Sequence, residues 1–397
     1  MKLTKIIGAA ISAVLAFGTV NVVPLNASAL NGASVVSDSE YTVKGGFVMA
    51  KDKQGDLFVS DYKGSGGAIT IPSDAVYIAD GAFSGDKSIT SVTIPSTCWG
   101  GIGSNAFACC VNLRSVDVRG DIECVGERAF FGCVNLKTVV FRGDVCESEI
   151  YGSYYGGGIF DYAFYCCSAL QSVTFTNYSS TLSCIGSGAF ANCLSLSEVT
   201  LPHKVSTIYA AFYNCPKLLA ISVPQRSTVD KYAFGYMVNF ASDEPTYLRV
   251  TGSNSAYAAY YTYDSSSNSL IKHYKKITPQ KLTMVVEEGT DAERYAKKNS
   301  INYTYRLSAP TSVIASRGTD KIGLAWKQVG RADYYIVYMQ NSDTGAYVKC
   351  GSVTSCGCTV TGLETNTTYR FKIAAVDTIN GTDIKGFISD AFEFKTT

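Results

Sequence analysis

With 397 residues, 46% of them apolar and 17% charged, the chain has room for two or three domains and too much apolar material to stay disordered. Its 34 Lys and Arg against 33 Asp and Glu give a formal net charge of +1, which excludes a general affinity for nucleic acid or for anionic membranes.

The chain begins with an export signal. Lys2 and Lys5 form a basic start, Ile6 to Val20 an apolar run broken only by small residues, and Ala27-Ser28-Ala29 a small-x-small cleavage site. The run is short for a membrane span. Cleavage after Ala29 leaves 368 residues and a net charge of −1. No second hydrophobic span follows, and Phe392 to Thr397 reads as a final strand rather than an anchor. The expectation is a protein that is secreted, extracellular or loosely associated with the cell surface, with no membrane insertion.

An Ala-Phe pair then recurs at Phe83, Phe107, Phe130, Phe164, Phe190, Phe212 and Phe234, in steps of 24, 23, 34, 26, 22 and 22 residues. Three residues past each Phe stand Asp86, Cys110, Cys133, Cys167, Cys193, Cys215 and Met237. Six past stand Ile89, Leu113, Leu136, Leu170, Leu196, Leu218 and Phe240. Apolar residues also recur nine and eleven past, as in Val116 and Val118, and five before, as in Ile78, Ile102, Val125, Ile159, Ile185 and Val229. Apolar residues two apart mark a short strand with one buried side, which a single strand cannot cover. Stacking coil on coil covers it, and the period is that of leucine-rich repeats. The Phe column is expected to line the opposite wall.

The expected fold class is therefore mostly β: a leucine-rich-repeat right-handed solenoid with a parallel sheet, followed by an antiparallel β-sandwich. The division is 1–29 signal, 30–68 N-terminal cap, 69–248 repeats, 249–307 C-terminal cap with a helix near Ala292 to Lys298, and 308–397 sandwich. Short alternating runs such as Lys321 to Trp326 and Tyr334 to Tyr338, split by turn residues, indicate the sandwich.

The text Ile185-Gly186-Ser187-Gly188-Ala189-Phe190-Ala191-Asn192-Cys193, continuing to Leu196, Val199, Leu201 and Pro202, resembles the bacterial surface-antigen (BspA-like) class of leucine-rich repeats. Residues 61–72 resemble its N-terminal entry and 288–298 its helical closing unit. The Pro after the strand is kept only at Pro72, Pro95, Pro202 and Pro224. The resemblance implies extracellular adhesion to host, microbial or matrix components, without naming a ligand. The C-terminal segment resembles a fibronectin type III module, with Trp326 in its core and Leu363 to Tyr369 as its tyrosine corner; Thr365 stands where that family often has Pro.

Chemistry is sparse. Of the 14 cysteines, five occupy one repeat position, which points to a buried column of free thiols, since side chains stacked in parallel offer poor disulfide geometry. Cys350 is placed to face Cys356 or Cys358 across a hairpin. The doublets Cys109-Cys110 and Cys166-Cys167 lack the spacing zinc favours. His203 and His273 read as exposed turn residues, and no nucleophile has a base. Gly64 to Gly67 is a turn, not a phosphate loop. The reading is not an enzyme, with no cofactor and no metal.

What remains is surface. The outward sheet residues are mostly Ser and Thr, interrupted by Asp117, Arg119, Val140, Arg142 and Glu198, with Arg114 and Lys137 beside the arginines. The 34-residue step carries an insertion within Gly143 to Gly158 that holds Tyr151, Tyr154 and Tyr155. Insertions in solenoids emerge on one face, often the binding face. Arg114, Asp117, Arg119, Lys137, Arg142, Tyr151, Tyr154 and Tyr155 are the candidate ligand-binding residues. The expected function is binding or adhesion to an extracellular protein through the solenoid. The alternative is a carbohydrate-binding accessory protein of a polysaccharide-degrading system, in which some of the 27 Tyr rings stack on a glycan ligand.

Overall fold

The computed structural model describes residues 41–145, 157–176, 181–202, 204–230, 233–238, 257–264, 269–342 and 345–397. The chain is mostly β, with parallel sheets over residues 58–305 and antiparallel sheets beyond. Two compact units are distinguished. The first holds the described residues up to Leu218, with Val223–Leu282 and Gly289–Ile301; the second holds Leu219–Ser222, Thr283–Glu288 and Asn302–Thr397.

In the first unit, strands Gly67–Thr70, Ile89–Ile94, Ser115–Val118, Thr138–Phe141, Ser172–Phe175 and Glu198–Thr200 lie side by side in that order, all parallel. The pairing Val92–Val116–Val139–Val173–Val199 sets the nine-past column in a single line. These valines are buried and their outward neighbours half-buried, apart from the exposed Glu198, as alternation requires.

A second parallel sheet, unforeseen, forms the other wall. Its line is Ile78–Ile102–Val125–Ile159–Ile185–Ile208–Val229, carried by bridges and strands of two to five residues. The five-before apolar column is this sheet's core side. Two-residue strands have no alternation to read, so only the closed coil reveals them.

Between the walls the seven phenylalanines stack. Centroid spacings run from 4.6 to 5.2 Å, and every interplanar angle is 13° or less. The turns are left-handed two residues before each Phe from Phe83 to Phe190, as at Asn105, Arg128 and Tyr162, and two after each from Phe83 to Phe212, as at Cys109, Cys166 and Asn192. This accounts for the cysteine doublets: the first residue takes the strained turn position, and the second enters the core.

The stack is closed at both ends by rings set across it. Phe47 meets Phe83 edge-on at 6.3 Å, and Tyr295 meets Phe234 edge-on at 6.3 Å. The Tyr295 hydroxyl also donates to the Phe234 carbonyl (2.9 Å) and accepts from the Phe234 amide (3.1 Å). Tyr295 sits on the helix Asp291–Lys298, whose N-cap Thr290 accepts from the Glu293 amide at 3.2 Å.

Strand Tyr236–Val238 pairs antiparallel with Ser269–Pro279. Met237 holds the cysteine position here, and a thioether has no hydrogen to donate into the coil. Phe240 lies outside the described residues. His203 does too, and His273 lies on a strand opposite Tyr260, not in a turn.

The second unit contains a closing parallel sheet of Ala220–Ser222, Thr283–Val286 and Asn302–Tyr305. With it packs a sandwich of a three-stranded sheet (Ile314–Arg317, Lys321–Ala325, Gly357–Thr361) and a sheet built around Tyr334–Gln340 and Thr368–Ile379. Trp326 meets Tyr335 edge-on at 5.3 Å in its core. Tyr369 accepts from the Glu364 amide at 2.9 Å, which makes the expected corner. Ile384 packs on Ala220 and Val285, Arg331 donates to the Tyr305 carbonyl (2.6 Å), and Asn380 donates to the Leu219 carbonyl and to Thr283 Oγ1 (both 3.0 Å). The three cysteines of the sandwich are free thiols; Cys350 donates to the Val337 carbonyl at 3.3 Å rather than bonding to Cys356 or Cys358.

Candidate interaction surface

The outward face of the six-stranded sheet is ruled in rows by its register. One row is Ser91–Ser115–Thr138–Ser172–Glu198; the next is Thr93–Asp117–Val140–Thr174–Thr200. Small hydroxyl side chains predominate along these rows and leave this face shallow. No outward residue of these rows is aromatic.

Just past the strand ends, Arg119 and Arg142 occupy equivalent positions on adjacent coils. Both bind one carboxylate: Arg142 Nε donates to Asp117 Oδ1 at 2.7 Å and Arg119 Nε to Asp117 Oδ2 at 3.3 Å. Partial burial pushes the Asp117 carboxyl up, but the hydrogen bonds from Arg142 and Arg119 outweigh it and hold the group below the usual carboxylate range. Asp117 therefore stays ionised and positions both guanidiniums. The triad carries a net +1, not the +2 that the arginine pair alone implies.

Arg114 and Lys137 also stand on adjacent coils, since the Lys137 amide donates to the Arg114 carbonyl at 2.8 Å, and both are exposed. They lie at the other end of the strands, about 16 Å from the Arg119–Arg142 pair at about 3.3 Å per residue. The structure thus makes two separate basic pairs from the expected cluster.

Tyr151, Tyr154 and Tyr155 lie outside the described residues, but the root of the insertion does not. Val145 bridges Ile122 on one side and Leu182 on the other, and is fully buried. Gly158 pairs with Cys124, two residues past Ile122. Gly143 to Val145 and Gly157 to Gly158 are therefore solenoid wall, and the insertion narrows to residues 146–156. Taking these eleven from the 34-residue step leaves 23, the length of the step before it. That length match was available in the sequence; the pairing that gives it meaning was not.

The thiol column is part of the wall. Cys110, Cys133, Cys167, Cys193 and Cys215 each donate to the carbonyl of the Phe one coil earlier, at 3.1 to 3.3 Å. Among the described residues no group of His, Cys, Asp and Glu is arranged to hold a metal ion.

Coil, register and sandwich together define a leucine-rich-repeat solenoid joined to a fibronectin-like β-sandwich. Residues 62–152 and 157–249 match the BspA type Leucine rich repeat region in six copies, and residues 308–385 match the Fibronectin type III domain. The chain thus carries BspA-type repeats followed by a fibronectin type III domain. No curated protein matches it. Among solved structures, a leucine rich cell surface protein from Faecalibacterium prausnitzii A2-165 is similar at 21% identity over 58% of this chain, with a TM-score of 0.37. The chain spans 60% of that protein's length. An Fn3-like protein from Clostridium thermocellum is similar at 24% identity over 23% of this chain and 95% of its own, with a TM-score of 0.21. The fibronectin type-III domain of human fibronectin type III domain containing protein 3 is similar at 23% identity over 23% of this chain and 88% of its own, TM-score 0.21.

Proposed function

We propose that this chain is a secreted or surface-associated adhesion protein that binds an extracellular protein partner on the outward face of its long parallel sheet. Both domain types are generally non-catalytic binding modules, and no described helix is long and apolar enough to cross a membrane. The contact region comprises Arg119, Asp117 and Arg142, the second pair Arg114 and Lys137, and the 146–156 insertion with Tyr151, Tyr154 and Tyr155. Residues 1–29 act as the export signal, 30–68 and 249–307 as caps, 69–248 as the repeats and 308–397 as the fibronectin module.

The observation that carries this reading is the arginine pair held on Asp117, an ordered charged feature on a face otherwise lined mostly by hydroxyls, three residues from the root of the insertion. The rows of that face hold no ring on which a sugar would stack, so the glycan alternative has no support there. The test is an array of extracellular matrix, host and microbial proteins beside an array of plant and mucin glycans. The parent chain should capture proteins, and Arg119→Ala/Arg142→Ala should lose them. Capture of glycans alone would reverse the reading.

A further inference from the structure

The guanidinium pair says something about the partner's chemistry. Arginine carries five N–H donors in a rigid fork. Arg119 and Arg142 each commit the Nε donor to Asp117, and among the described residues their terminal nitrogens have no partner. Both side chains are about half exposed, at 59% and 49%. Two forks are therefore fixed side by side on adjacent coils, about 4.8 Å apart by strand spacing, with their paired terminal donors open to solvent. A planar two-oxygen acceptor suits such forks.

Resting on the sheet-face reading above, we infer that Arg119 and Arg142 seat a carboxylate of a short acidic segment of the protein partner. The triad's single net positive charge is neutralised by one carboxylate. Two coils beyond Arg142, and four residues back along the strands in the Ser115–Thr138–Ser172 row, stands Glu198, an exposed acid that repels a long polyanion laid across the sheet. A sulfated glycan or a nucleic acid, with charge along its whole length, meets that repulsion; a segment with one or two acids flanked by neutral residues does not. The Ser and Thr hydroxyls of the rows offer hydrogen bonds to such a segment's backbone.

The test uses the full mature chain and three probes: a fluorescein-labelled heptapeptide with two glutamates, its glutamine counterpart, and a heparin oligosaccharide. Fluorescence anisotropy at low salt should show the glutamate peptide binding roughly tenfold tighter than the glutamine one. Arg119→Lys/Arg142→Lys keeps the charge, loses the fork, and should lose most of that preference. Asp117→Asn should weaken binding even though it adds a unit of positive charge, because the forks lose their anchor. Tighter binding by Asp117→Asn, equal binding of the two peptides, or a preference for heparin would each overturn the inference. The wider reading is judged separately: a protein captured by the parent and lost by Arg119→Ala/Arg142→Ala upholds the face even where the peptides fail, and a protein kept by that variant removes the face itself.

Discussion

The thiol of Cys133 donates to the main-chain carbonyl of Phe107, one coil earlier, at 3.1 Å. Both groups are buried, so the carbonyl has no water to turn to. Cys133→Ala should cost about 0.5–1.5 kcal/mol beyond the small loss of packing, because it removes one of two hydrogen bonds to that carbonyl, which keeps the Cys110 amide at 3.2 Å. Cys133→Ser keeps a donor and should lie between parent and Ala. Urea denaturation with matched m-values measures both; an Ala variant as stable as the parent would show that the S–H bond contributes nothing.

The same burial sets a pH dependence. Desolvation pushes the Cys215 thiol up to about 12, and Cys133, Cys167 and Cys193 well above the ordinary range. A folded value above the unfolded one means the stabilisation is whole below the unfolded value, near pH 9, and drains as pH rises through the folded one. Above pH 9 Cys215→Ala should lose stability less steeply than the parent, by up to ~1.4 kcal/mol per pH unit. Identical slopes would mean the thiol ionises freely in the fold. At neutral pH the five column thiols should react with a maleimide only after unfolding, and a Cys110–Cys133 or Cys193–Cys215 bridge in a peptide map would refute the free column.

The Phe stack should behave as one structure with two stops. Phe130→Ala removes a fully buried ring from between Phe107 and Phe164 and should cost ~3–5 kcal/mol. Tyr295→Phe keeps the edge-on ring but strips both hydrogen bonds from the Phe234 backbone, at about 1–3 kcal/mol. Hydrogen exchange should speed first at the Phe234 amide in Tyr295→Phe. Loss of protection starting instead near Phe83 would place the weak end of the stack elsewhere.

Deleting residues 146–156 should restore a regular coil. Val145-Gly157-Gly158 then reads against Ile122-Glu123-Cys124 below and Leu182-Ser183-Cys184 above, one residue for one. The melting temperature should stay within a few degrees of the parent's. A longer deletion that also takes Val145 removes a buried ladder residue and should melt clearly lower. If both deletions melt alike, Val145 is not part of the wall.

Much of this fold was present in the spacing of residues. Val116 and Val118 two apart, Phe130 and Cys133 three apart and a period near 23 are local facts, and burial of one side of a repeated strand follows from them without knowledge of the closed coil. The sandwich was legible for the same reason, since alternation and turn residues act over a few positions, while the core place of Trp326 and the corner at Tyr369 were what the resemblance to a fibronectin type III module implied. Contacts between coils were not legible. Asp117 joins Arg142 across 25 residues, Tyr295 closes on Phe234 across 61, and Val145 sits between Ile122 and Leu182. Each depends on how one coil registers against the next. That register is set by main-chain hydrogen bonds that exist only once the coils stack, so periodicity names the columns while tertiary structure decides which side chains meet between them.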